Sequence, residues 1–338
     1  MTPDRPTSPD PPPPQRPIRL ATRGSPLALA QTYLAIDRCR AAFPDFAFEI
    51  RIIKTTGDRL QRASMAQTPA LVSKGLFTKE LETALLRNEA DLAVHSLKDL
   101  PTELPSGLTL GAVLEREDAR DVFVCRSAGS PLPTSTRAHA SPLDALPPQA
   151  TVATSSTRRR EQLLELRPDL RVVQIRGNLS TRLDKLAHDP NLAATLLAAA
   201  GLRRLGYQLR PDGAIHGPPQ HPAPPGLRVA LLPISLMIPC VGQAAIGIET
   251  RADDPLAQSL CLRLDHDVTR ACVTAERAFL RAMGGGCLSP VAAYAEVDFG
   301  LLRIEGVSFR SGSAARAAAT GPLNAPESLG QKLASRLS

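Results

Sequence analysis

The chain has 338 residues, 43% hydrophobic and 22% charged, enough apolar material for two or three domain cores and too much for a disordered chain, a collagen-like repeat or a disulfide-stapled miniprotein. Its formal net charge is +7, carried by 34 Arg and only 6 Lys. That bias suits planar anions, because a guanidinium fork fits carboxylate or phosphate bidentately, although GC-rich coding produces the same bulk trend.

Met1 to Pro17 is Pro-rich and charged, without the apolar run of a secretory signal, and reads as a disordered tail. From Ile18 the pattern is strand, turn, helix, repeated. Ile18 to Thr22 is a strand, Ser25 an N-cap, Pro26 a first helical residue and Leu27 to Cys39 a helix. A strand at Phe48 to Lys54 precedes a polar stretch, Gly57 to Val72, that reads as a surface loop or lid. Lys74 to Arg87 reads as an amphipathic helix and Asp91 to His95 as a compact apolar strand. A second block has strands at Val122 to Cys125, Thr151 to Thr154 and Val172 to Ile175. Helices are expected at Arg158 to Leu166 and around Leu183 to Leu186. Pro-rich insertions occupy Ser127 to Pro148 and Arg210 to Gly226. The longest apolar run, Val229 to Val241, is thirteen residues and contains Pro233 and Pro239. It is too short for a membrane span and reads as a connection between domains. This alternation predicts parallel sheets. After Asp267 the pattern changes to a helix (Val268 to Met283), a Gly-rich turn, strands at Val291 to Val297 and Leu301 to Phe309, and a last helix from about Glu327, a smaller α+β unit.

In an open α/β sheet, anions collect where strand ends meet helix N-termini, because free N–H groups and the helix dipole point there. Four junctions share hydroxyls and cations: Thr22-Arg23-Gly24-Ser25, His95-Ser96-Leu97-Lys98-Asp99, Thr154-Ser155-Ser156-Thr157-Arg158-Arg159 and Arg176-Gly177-Asn178-Leu179-Ser180-Thr181-Arg182. Helix capping explains any one of them; four together favour a polyanion. The chain has no Walker-type loop and no acidic pair for magnesium, so a polycarboxylate is the better match. Asp99 is the one acid at these junctions. It either balances nearby cations or stabilises positive charge developing on a substrate. His95 ends an apolar strand and reads as a structural imidazole.

The six cysteines, at 39, 125, 240, 261, 272 and 287, show no paired or zinc-like spacing. No metal is expected, and a reducing cytosol fits. Cys287 stands apart because Gly284-Gly285-Gly286 and Leu288-Ser289-Pro290 flank it, so it is presented on a tight loop.

From Ile18 to the C-terminus the chain resembles the porphobilinogen deaminase (hydroxymethylbilane synthase) family. The resemblance rests on Ala21-Thr22-Arg23-Gly24-Ser25-Pro26-Leu27-Ala28-Leu29, Lys74-Gly75-Leu76-Phe77-Thr78-Lys79-Glu80, Ala93-Val94-His95-Ser96-Leu97-Lys98-Asp99-Leu100-Pro101, Arg116-Glu117-Asp118, Thr154-Ser155-Ser156, Arg176-Gly177-Asn178 and Gly284-Gly285-Gly286-Cys287, in that order. It implies two doubly wound α/β domains like those of periplasmic binding proteins plus a smaller C-terminal α+β domain. The divisions are 18–116 with 242–264, 117–241, and 265–338. It implies a dipyrromethane cofactor held by Cys287 through a thioether, and a monomer in the cytoplasm using neither metal nor nucleotide. Four porphobilinogen molecules would be joined head to tail with loss of ammonia, and water would release hydroxymethylbilane. By matching position Asp99 is the catalytic residue. Ser96, Lys98, Thr154, Ser155, Ser156, Arg158, Arg159, Arg176 and Arg182 bind cofactor; Arg23, Ser25, Arg176, Arg182 and Arg204 bind substrate; Lys74 and Phe77 belong to a lid or its edge. Ala244 stands where the family generally has Gly. A two-lobed anion-binding protein without catalysis would share the architecture but not need Cys287. A nucleic-acid binder would use the Arg excess but lacks stacking residues, with 3% aromatics and no Trp.

Overall fold

The computed structural model describes residues 11–56, 77–126, 141–286 and 289–338. Ser25 accepts a hydrogen bond from the Ala28 N–H and Pro26 sits in the first turn, where no N–H partner is needed, so the helix Pro26–Ala42 starts where the sequence places it. Ala35, Ile36 and Cys39 of that helix pack on Ile18, Leu20, Leu92, Val94 and Ile248. These residues belong to a five-stranded sheet in the order Phe48–Ile53, Ile18–Arg23, Leu92–Ser96, Ile246–Arg251, Leu108–Val113. The first three strands are parallel. Ile246–Arg251 runs antiparallel to both of its neighbours.

The second sheet has the order Leu227–Leu231, Asp121–Arg126, Ala194–Ala198, Thr151–Ala153, Arg171–Val173. Alternation along Asp121–Arg126 divides its side chains between two cores. Val122 and Val124 join Leu183, Leu186 and Leu202 on one face, while Phe123 and Cys125 join Leu163 and Leu196 on the other. Helices therefore cover both faces. In the third unit the helices Asp267–Ala282 and Pro326–Ser335 pack on an antiparallel sheet of Val291–Asp298, Leu301–Ser308 and Ala315–Pro322. The helices touch at Gly330, where a Cβ would lie 2.1 Å from the Ala275 carbonyl oxygen; a side chain there would force them apart.

Several expectations are corrected. The sheets are mixed rather than parallel: Asp121–Arg126 is antiparallel to Leu227–Leu231 and to Ala194–Ala198. The start of the Val229 run is not a connection but part of an edge strand, because its alternating residues find a partner in Asp121–Arg126. Residues 210–226 are not featureless either, since Gln208–Leu209 pairs with Ile215–His216. The helix expected over Lys74 to Arg87 begins only at Lys79, after a turn at Phe77 and Thr78, and ends at Leu86. Within the expected tail, Arg16 forms two 2.7 Å bonds to the Asp91 carboxylate.

The chain crosses between the two large sheets twice, after Val113 and before Ile246. Both crossings meet the third unit at one buried node. The Arg116 guanidinium binds Glu276 at 2.6 and 3.2 Å and the Gln243 carbonyl at 2.8 Å. Glu276 also accepts from the N–H groups of Gly242 and Ala295, at 2.7 and 2.8 Å. Removing one member of such a buried set leaves an uncompensated charge, at a cost of about 3–5 kcal/mol.

Ala244, at the second crossing, has φ of 72°, a left-handed conformation that costs an L-residue with a Cβ about 1–2 kcal/mol. Its buried side chain lies with Ala119, Ala200 and Tyr294. Ala244→Gly should raise the urea midpoint, with a gain of up to about 1 kcal/mol once the added freedom of the unfolded glycine is subtracted. An unchanged or lower midpoint would mean that the lost methyl contacts outweigh the backbone strain.

Candidate functional site

Arg23 ends the strand Ile18–Arg23, and Ser96 ends Leu92–Ser96, which passes into a single 3-10 turn at Leu97–Asp99. From the second sheet, Ser156 caps the helix Thr157–Leu166, Asn178 caps Leu179–His188, and Arg204 closes the helix Ala199–Arg204. Of these, Arg23, Ser96, Asn178 and Arg204 line a common cavity of about 190 Å³, whereas Thr154, Ser155, Ser156 and Arg158 do not. Arg23, Ser25, Ser96 and Lys98 line it from one side, Arg159, Arg182 and Arg204 from the other.

The cations are held where water solvates them poorly. Burial pulls the Lys98 ammonium down, with Asp99 opposing and Arg159 adding to the shift. It brings the Arg182 guanidinium to about 10, helped by Arg159 and opposed by Asp99, and the Arg204 guanidinium also to about 10. Arg182 donates to the Gly177 carbonyl at 2.9 Å and Arg204 to the Ala244 carbonyl at 2.6 Å. A bound carboxylate would supply the counter-charge that these dipoles do not. Asp99, exposed at the end of its turn and absent from the cavity lining, acts electrostatically on both Lys98 and Arg182.

The Thr154 to Arg159 junction is more occupied than its sequence suggests. The Thr154 hydroxyl accepts from the Ser156 N–H at 3.2 Å, and the Ser155 hydroxyl bridges the Ile175 backbone at 2.7 and 3.1 Å. Ser156 accepts from the Arg159 N–H as helix cap. Arg158 and Arg159 clamp the fully buried Asp121 at 2.8 and 2.7 Å, and their guanidinium groups hold its carboxyl well below the usual range despite burial. Each of these arginines nevertheless keeps a buried Nε with no hydrogen-bond partner among the described residues. Arg176 is exposed and absent from the cavity lining. Phe77 lies under the Arg23 guanidinium, 4.1 Å from its ring centre, a cation–π contact at the cavity edge. Lys74 and Cys287 lie outside the described residues. Beside Cys287, Gly286 and Ser289 are joined by a 2.9 Å backbone bond and a 3.1 Å bond to the Ser289 hydroxyl.

Sequence reasoning missed Asp121, Gln31, Tyr207 and His221 as site residues and gave Gln243 no role. Gln31 bonds the Ser96 hydroxyl at 2.9 Å, and Gln243 reaches Asp121 at 2.9 Å. A signal for Asp121 was present: an acid opening an otherwise apolar strand needs a buried cation. His95, read as structural, is buried and bonded to Glu249 at 3.1 Å.

A family model described as "Porphobilinogen deaminase, dipyromethane cofactor binding domain" matches residues 18–259, and "Porphobilinogen deaminase, C-terminal domain" matches 270–338. The porphobilinogen deaminase of Desulforudis audaxviator is 44% identical over 325 residues, covering 96% of this chain and 94% of that protein. That of Thermus thermophilus is 42% identical over 322 residues, covering 94% of each. Among solved structures, the periplasmic aliphatic sulphonate binding protein SsuA from Escherichia coli is 12% identical with a TM-score of 0.37, over 79% of this chain and 70% of that one.

Proposed function

The chain belongs to the porphobilinogen deaminase family, and from that premise we propose which of its side chains carry the reaction. The activity is the stepwise condensation of four porphobilinogen molecules with release of ammonia, followed by hydrolysis to hydroxymethylbilane. The dipyrromethane cofactor, when bound, supplies the pyrrole carbon to which the first substrate is joined.

The residues present fit such a group. Each of its pyrroles carries carboxylates, and the buried Nε donors of Arg158 and Arg159 are without hydrogen-bond partners among the described residues. Cys287 is our proposed attachment point. Ser96, Lys98, Thr154, Ser155, Ser156, Arg158, Arg159, Arg176 and Arg182 form the proposed cofactor-binding set. Arg23, Ser25, Arg176, Arg182 and Arg204 pair with substrate carboxylates, and Lys74 and Phe77 border the entrance. Asp99 has the opposite duty. As ammonia leaves, positive charge develops on the substrate in a field of cations that opposes it. An ionised carboxylate beside that centre stabilises the transition state more than the ground state and can take the pyrrole proton.

The observation that carries this reading is the meeting of desolvated cations from both sheets around one cavity, with Asp99 acting on a cation of each. Arg182→Ala should lower kcat/KM for porphobilinogen about 10- to 150-fold, the worth of a charged hydrogen bond of about 1.5–3 kcal/mol. Ammonia release under initial-rate conditions measures it, and a value within twofold of wild type would remove Arg182 from the binding set.

The reading includes the division into 18–116 with 242–264, 117–241 and 265–338, supported by strand membership of the three larger sheets among the described residues. It also includes a monomer acting in the cytoplasm, where the five described cysteines, all free, would stay reduced. Among the described residues no helix is long and apolar enough to cross a membrane.

A further inference from the structure

Residues 210–226, the second Pro-rich insertion, are built onto the second sheet. The Gln208–Leu209 and Ile215–His216 strands pair, the Val229 N–H donates to the Gly213 carbonyl at 2.9 Å, and Ala214 bridges to Arg228. Ile215 is buried in the core of that sheet, and Ala223 packs against it. Beyond Ile215 the chain folds tightly on itself at Gly217, where a Cβ would lie 2.3 Å from the His221 carbonyl oxygen and 2.5 Å from the Ala223 nitrogen. Only glycine accommodates that approach. The turn continues with a 2.9 Å bond from the His221 N–H to the Pro218 carbonyl. The result is that His221, exposed to solvent, lines the cavity with Arg182, Arg204 and Tyr207.

We propose that His221 is a substrate-binding residue supplied by this insertion, its imidazole N–H donating to a carboxylate of the incoming porphobilinogen. The inference rests on the function proposed above. His221 shares the cavity lining with two desolvated arginines, Arg182 and Arg204, whose hydrogen bonds run to backbone carbonyls. A ring N–H is the kind of group that completes carboxylate recognition there, because a carboxylate has about four lone-pair sites to fill. It is exposed where Ser96 and Lys98 are half-buried, so it is among the more solvent-accessible groups of the lining.

The test is steady-state kinetics of the holoenzyme with porphobilinogen at fixed pH and ionic strength. His221→Ala should raise KM roughly three- to tenfold, as the loss of one net hydrogen bond implies, and leave kcat within twofold. His221→Lys, which restores a donor, should return KM to within twofold of wild type. Gly217→Ala, which displaces the loop but retains the imidazole, should raise KM as His221→Ala does. A wild-type KM for His221→Ala, with the wild-type holoenzyme turning over porphobilinogen normally, overturns this inference and leaves the reaction assignment standing. A raised KM that lysine does not restore, accompanied by a fallen kcat, overturns it too, by making the loop a packing element.

Discussion

Asp99→Asn should fold with a melting temperature close to wild type and lose about 10²- to 10⁴-fold in kcat, the range by which a positioned acid–base group accelerates a reaction. The replacement keeps the shape of an exposed side chain at the end of the Leu97–Asp99 turn and removes only its charge. That charge acts on Lys98 and Arg182, one from each large sheet. Without it the site is more positive. Carboxylate binding is then undiminished or tighter, and KM should not rise. The developing cation, by contrast, faces lysine and arginine alone, so the loss falls on kcat. Ammonia release and a thermal melt on the same preparation separate the two effects. Wild-type turnover in the variant would reduce Asp99 to a counter-ion for Lys98.

Cys287→Ala should abolish both cofactor attachment and turnover. In the denatured intact mass, wild-type protein should carry two pyrrole units that survive unfolding and react with Ehrlich's reagent, and the variant should carry none. The thiol is preceded by three glycines. Of these, Gly284 has φ of 57° and Gly285 would place a Cβ 2.9 Å from both Leu280 and Ser289, so bulkier residues there would disturb the backbone just before position 287. The five described cysteines are poor competitors. Burial pushes the thiols of Cys39, Cys261 and Cys272 up to about 12 and that of Cys125 up to about 11. Cys240 is also raised, by burial that outweighs Arg158 and Lys98. A thiol kept protonated is a weak nucleophile. Wild-type protein that remains unmodified after incubation with porphobilinogen would dismiss Cys287 as the anchor.

What the sequence made legible was local. Ser25 and Pro26 announce a helix start because capping involves residues within one turn, and Ser96 to Asp99 announce a strand end because an apolar run stops at polar residues. The clustering of hydroxyls and cations at four strand ends was legible for the same reason, because these residues lie within a few positions of each other. The antiparallel strands were not. Leu227–Leu231 borders a proline-rich stretch and shows itself as a strand only when paired with Asp121–Arg126. The buried roles of Arg158 and Arg159 were hidden because their acceptor, Asp121, lies 37 and 38 positions away in the chain but 2.7–2.8 Å away in space. His221 was hidden by composition, since a Pro-rich insertion reads as spacer until its glycine turn is seen to fold it back.

The placement of Ile246–Arg251 between Leu92–Ser96 and Leu108–Val113 sets an order of assembly during synthesis. Until translation passes Arg251, those two segments lack the strand that joins them, and the first sheet exists as two pieces with open edges. The second sheet has no such dependence, because all five of its strands lie between Asp121 and Leu231. A nascent chain can therefore finish the inner lobe while the outer one still carries unpaired backbone along its future seam, the kind of edge that invites pairing with the wrong partner. The last strand closes a long loop and adds a slow, non-local step to folding. The ribosome thus makes the lobe that begins first the later one to be whole.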